Sequence, residues 1–146
     1  MNDEQLKTKI EILKQVLEKH PLIDNEPKDI LRTLGGFEIV QMYAAMKQAK
    51  ANNMLILVDG FIATAAFCVA YKEDPSIKSN AIFCHQSDER AHGKILNLLN
   101  VKPILNINLR VGEGIGCTLA YPIIQSTINF INPMSSFEEA QVSNKE

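Results

Sequence analysis

Met54-Leu55-Ile56-Leu57-Val58-Asp59-Gly60 is a short apolar run closed by a turn pair, and its reading decides the fold. The run is continuous rather than alternating and too short for a helix, so it predicts a strand buried on both faces. Such a strand belongs to a parallel sheet covered by helices. Phe61 to Tyr71 follows at once and is apolar nearly all round, which predicts a buried helix. Lys72 to Asn80, with Asp74-Pro75, reads as the return loop, and Ala81-Ile82-Phe83-Cys84 as the next strand. Strand, helix and strand in that order imply a right-handed βαβ crossover.

The same grammar extends outward. Downstream, Ser87 opens a helix that runs to Leu99, with Ser87 as its cap and Asp88 and Glu89 in its first turn. Ile104 to Leu109 reads as a third strand and Ile115 to Ile131 as the last long helix, bent at Pro122. Phe137 to Ala140 makes a closing turn. Upstream, Leu6, Ile10, Leu13 and Leu17 mark one face of a helix over residues 3–19, capped by Asn2 or Asp3. Pro27 starts a short helix through Leu34, and Phe37 to Ala51 is a third helical stretch, stopped by Asn52-Asn53. The expected fold is α/β: a partial, Rossmann-like parallel sheet of about three strands flanked by helices. Sheets usually have about five or six strands. Residues 1–146 therefore read as one α/β module, part of a larger unit.

Composition narrows the function classes. The chain has 146 residues, 46% hydrophobic and 22% charged, with net charge −2, which is ordinary globular composition. No basic stripe interleaved with aromatics is present, so nucleic acid is not the expected partner. No apolar run approaches the ~20 residues of a membrane span. The polar, acidic start Met1-Asn2-Asp3-Glu4 does not read as a secretory signal. Cys68, Cys84 and Cys117 lack CxxC spacing, which predicts buried reduced thiols and a cytoplasmic location. His20, His85 and His92 fit no zinc spacing, and no metal is expected.

Chemistry is expected where parallel strands end and helices begin. Three such places occur: Asp59-Gly60, His85-Gln86-Ser87, and Leu109-Arg110-Val111-Gly112-Glu113-Gly114-Ile115-Gly116. Helix N-termini there offer unpaired N–H groups to a phosphate or carboxylate. In the last stretch Gly112 and Gly114 lack Cβ atoms, so the backbone and Glu113 can approach a bound molecule closely. The glycines do not form a dinucleotide fingerprint, because Cys117 stands where the last glycine is needed. Glu113 suits proton abstraction or stabilisation of a developing cation.

Val58-Asp59-Gly60-Phe61-Ile62 with Thr64-Ala65-Ala66, and Leu109-Arg110-Val111-Gly112-Glu113-Gly114, resemble nicotinate-nucleotide–dimethylbenzimidazole phosphoribosyltransferases. So do Gly35-Gly36-Phe37-Glu38-Ile39 and Phe137-Glu138-Glu139-Ala140 with Val142-Ser143, in order along the chain. The resemblance implies transfer of phosphoribosyl from nicotinate mononucleotide to 5,6-dimethylbenzimidazole, a step in building the lower ligand of cobalamin, with no cofactor. It implies that Glu113 is the catalytic base, that Lys9 and Ser87 lie near the nucleotide phosphate, and that Asp59 and Gly60 line the pocket. Read without the resemblance, Lys9 lies off the apolar stripe and is a solvated lysine.

The chain departs from the family pattern at several positions. Arg90-Ala91 replaces a usual Pro-Gly, Ile115 a small or hydroxyl residue, and Cys84 a common serine. Family members are longer, and the match is to their C-terminal portion. The portion with their glycine-rich GxGNT nucleotide loop is absent from these 146 residues. The resemblance thus implies a homo-oligomer, and the chain reads as either a split subunit with a separate N-terminal partner or a truncated product, inactive alone. A non-catalytic binding or assembly module and a transferase acting on another base are the alternatives.

Overall fold

The structure, a computed structural model, describes residues 2–21, 26–110, 112–132, 134 and 139–140. It divides into two compact units: Met1–Ile56 with Ile62–Ala81, and Leu57–Phe61 with Ile82–Glu146.

The first unit is helical. Helix α1 spans Asp3–Lys19, and its start is a reciprocal cap: Asn2 Oδ1 accepts from the Gln5 amide at 2.8 Å, and the Gln5 side chain accepts from the Asn2 amide at 3.0 Å. No residue of α1 is buried, so its apolar stripe is exposed. Helices α2 (Pro27–Leu34) and α3 (Phe37–Ala51) follow, with Pro27 at the first turn of α2. Asn53, at φ 54°, turns the chain out of α3.

Strand β1 spans Ile56–Val58, and helix α4 spans Phe61–Glu73. Thr64, Ala66, Phe67 and Ala70 of α4 are buried, as the all-round apolar pattern of this stretch requires. Complete burial of Phe67 contributes about 1.5–3 kcal/mol. The expected return loop contains a 3-10 turn over Pro75–Asn80, where Asp74 accepts from the Ser76 amide. Across this unit Glu73 takes a short hydrogen bond from Tyr43 and an ion pair from Lys47 at 2.6 Å. Those two bonds, Lys47 first, hold the Glu73 carboxyl below its ordinary range.

The second unit carries the strand ends. Strand β2 (Ala81–Phe83) pairs with β1, and the Cys84 amide continues the ladder to the Val58 carbonyl at 2.9 Å. His85–Ser87 forms a further short strand, β3, parallel to β4 (Leu105–Leu109). The expected third strand is therefore present, and β3 is an addition to it. The β3–β4 register shifts between the pairs His85–Leu105 and Ser87–Leu109, and Asn108 at φ 57° lies in the shifted segment.

One helix expectation is corrected. Helix α5 spans only His92–Leu98, and its cap residue Ala91 makes no side-chain bond. Ser87 ends β3 instead of capping a helix, because its amide is drawn to His92 Nδ1 at 2.8 Å while Asp88 bonds back to the Leu109 carbonyl at 3.0 Å. Helix α6 spans Ile115–Ile131 with Pro122 inside it, within the expected bounds. The expected closing turn, Phe137 to Ala140, lies largely outside the described residues, with only Glu139 and Ala140 described, in a turn. The fold is α/β, with short parallel pairing flanked by helices.

Candidate active site

Asp59 follows β1 and reaches the start of α6. Its Oδ2 accepts from the Gly114 amide at 3.0 Å, and Oδ1 accepts from the Cys117 amide at 3.3 Å. A carboxylate at a helix N-terminus meets unpaired N–H groups and the positive dipole end. The chain's own Asp59 side chain thus occupies this helix N-terminus.

This clamp fixes the segment after Glu113. Gly114 caps α6 in the left-handed region, φ 82°, and Glu113 before it also has positive φ, 64°. Left-handed backbone is costly for a residue with a Cβ. The loop therefore holds Glu113 in a shape that an unconstrained chain would avoid. The Glu113 side chain is exposed. A Cβ added at Gly112 or Gly114 would meet nothing within 4 Å, so open space lies beside the carboxylate on both sides of the loop.

Gly60 and Gly116 serve a different purpose. A Cβ at Gly60 would lie 2.9 Å from His85 Cε1, and one at Gly116 would overlap His85 Nδ1 and lie 2.5 Å from Asp59 Oδ1. Both glycines make room for the His85 ring, which is 1% exposed. His85 Nδ1 stands 3.2 Å from Asp59 Oδ1. Burial was not expected of His85 or His92; the only hint was that the apolar run Ala81 to Cys84 continues into His85 without a turn residue.

Ser87 is half-buried at the end of β3, and its Oγ accepts from the Glu89 amide at 3.3 Å. Next to it, Asp88 accepts from Arg110 Nε at 2.5 Å, which ties the ends of β3 and β4 together and raises the Arg110 guanidinium further. Cys84 is buried, whereas Cys117 and Cys68 are only half-buried, so burial was overstated for two of the three thiols. The neighbouring Cys117 thiol, with burial, pushes Cys84 up, and Cys84 in turn pushes Cys117 down. Among the described residues no three His, Cys, Asp or Glu side chains are grouped as a metal ion requires.

The second unit thus brings together Asp59, Gly60, Ser87, Gly112, Glu113 and Gly114. Lys9 belongs to the first unit, exposed on α1, where it borders a shallow groove of about 620 Å³ with Asn2, Glu4, Gln5, Thr8, Ile12 and Leu13.

Comparison with known proteins bears on this arrangement. A protein of Shewanella putrefaciens named nicotinate-nucleotide–dimethylbenzimidazole phosphoribosyltransferase is 47% identical over 142 residues, covering 97% of this chain and 41% of its own length. One of that name from Photobacterium profundum is 43% identical, covering 98% of this chain and 42% of its own. The crystal structure of CobT from Thermus thermophilus superposes with a TM-score of 0.86 at 28% identity, over 99% of this chain and 43% of that one. The chain spans about two fifths of the length of the curated relatives it matches. The phosphoribosyltransferase family model DBI_PRT matches residues 1–142, and the chain belongs to that family.

Proposed function

We propose that this chain supplies the proton-accepting part of an enzyme that moves phosphoribosyl from nicotinate mononucleotide to 5,6-dimethylbenzimidazole, giving α-ribazole phosphate and nicotinate. The observation that carries the reading is Glu113: an exposed carboxylate at φ 64°, flanked by glycines facing open space, on a loop clamped by Asp59. In the reaction one benzimidazole nitrogen attacks C1′ of the ribose. The bond from C1′ to the pyridinium nitrogen breaks, and its electron pair neutralises that nitrogen in the departing nicotinate. Glu113 takes the proton from the other benzimidazole nitrogen, as a positioned general base. Ser87 is assigned to the nucleotide phosphate, and Asp59, Gly60, Gly112 and Gly114 to the pocket wall. Ile115, exposed at the first position of α6, favours assaying other bases beside dimethylbenzimidazole.

The test joins the chain to the remaining portion of the Shewanella putrefaciens relative, as a fusion or a second chain. The 146 residues alone are expected to release no nicotinate, because they cover only 41% of that relative's length. In the joined protein, Glu113→Gln is expected to lower turnover by about 10²–10⁴, the usual contribution of a general base. Nucleotide affinity and melting temperature should stay unchanged. A Gln variant that keeps more than about a tenth of the rate removes the base assignment. A joined protein that binds the nucleotide without turning it over supports a binding module instead.

A further inference from the structure

Buried polar groups nearly always have hydrogen-bond partners, so an exception asks for an explanation. His85, at the start of β3, is 1% exposed, and among the described residues neither ring nitrogen has a hydrogen-bond partner. Leaving such a group unsatisfied is costly, and an apolar side chain would avoid that cost. Instead, the surroundings are shaped to admit the imidazole. Gly60 and Gly116 both give up the volume of a Cβ to it, and His92 stands edge-on with ring centroids 6.4 Å apart. The acceptor facing it is Asp59 Oδ1, 3.2 Å from Nδ1, within hydrogen-bond range but off the line of a bond. Catalytic hydrogen bonds are often misaligned without substrate and tighten when it binds.

We propose that His85 is a positioning residue for the loop that carries Glu113, donating from Nδ1 to Asp59 Oδ1 and so holding the carboxylate that clamps the start of α6. The chain of contacts is short. Asp59 Oδ2 holds the Gly114 amide, one residue beyond Glu113, and Oδ1 holds the Cys117 amide. Oδ1 has a second lone pair, and His85 Nδ1 is placed to use it. A third bond at this position adds to the two amide bonds in resisting rotation of the carboxylate. A carboxylate only accepts, so Nδ1 carries the proton. The consequence for turnover rests on the reading of Glu113 as the proton acceptor; the clamp itself does not.

The experiment compares His85→Asn with His85→Gln. Asn puts an amide donor where Nδ1 stands, and Gln puts one where Nε2 stands. Amide hydrogen exchange is read by NMR on the 146-residue chain. His85→Gln is expected to lower the protection of Gly114 and Cys117 about tenfold, the loss of a bond to a charged group. His85→Asn should keep it, and Ala120 further along α6 should change in neither variant. Equal loss in both variants, or loss in neither, overturns the proposal. A wild-type measurement covers the case in which a variant fails to fold: a nitrogen-detected spectrum should show the His85 proton on Nδ1, and a proton on Nε2 alone overturns the proposal. In the joined enzyme, His85→Gln should lower kcat about tenfold with KM for nicotinate mononucleotide unchanged, and His85→Asn should restore it. If Glu113→Gln leaves turnover intact, the functional reading fails, while the exchange comparison still decides the role of His85.

Discussion

His85 and His92 are both enclosed, yet they answer burial differently. His92 Nδ1 accepts from the Ser87 amide at 2.8 Å, a bond that only an unprotonated Nδ1 can take. Burial, together with the neighbouring His85, lowers the proton affinity of His92 below its ordinary 6.5; Asp59 opposes this less strongly. The sign follows from linkage. As pH falls below 6.5 the unfolded chain binds a proton at His92 that the folded chain refuses, so stability falls with pH until the lowered folded value is reached. Denaturant midpoints at about pH 7.5 and about pH 5.5 check this. His92→Asn, whose Oδ1 can accept from Ser87, should show a smaller drop than wild type across that window. Equal drops in the two proteins would remove His92 as the source.

At the scale of the element, α6 shows how tertiary contact reverses a local rule. A glycine inside a helix normally costs about 1 kcal/mol relative to alanine, so Gly116→Ala would stabilise an isolated α6. In the folded chain the new Cβ falls on His85 Nδ1 and 2.5 Å from Asp59 Oδ1, groups buried or held by the helix start. Gly116→Ala is therefore expected to destabilise by about 1–3 kcal/mol, the usual cost of overpacking. Gly112→Ala, with nothing within 4 Å of its Cβ, should change stability little. Thermal unfolding of the two variants side by side decides it, and a Gly116→Ala protein as stable as wild type would discard the packing argument.

At the scale of the whole molecule, apolar surface is left uncovered. Leu6, Ile10, Leu13 and Leu17 of α1 are 37–55% exposed, and in the other unit Ile128, Phe130 and Ile131 of α6 are exposed as well. Contiguous apolar faces of this kind mark surfaces that another chain covers. The 146-residue chain is expected to self-associate and to bind an apolar dye. Light scattering that shows a sharp monomer with no dye uptake counts against that. The expectation fits a chain that spans 41% of the length of its Shewanella putrefaciens relative.

What could be read from the residues alone was whatever local chemistry dictates. The bounds of α1, α2, α3 and α6 followed from caps, prolines, asparagines and apolar spacing, and β1 followed from five apolar residues before Asp59-Gly60. The glycines on either side of Glu113, which make it the proposed proton acceptor, were legible in the same way. Strand β3 was not, because three residues with polar Gln86 and Ser87 carry no strand signal until β4 lies beside them. Nor could the sequence show that Asp59 closes the start of α6 or that Gly60 and Gly116 make way for His85. Those contacts join residues up to 58 positions apart, and only the folded chain brings them within a hydrogen bond of one another.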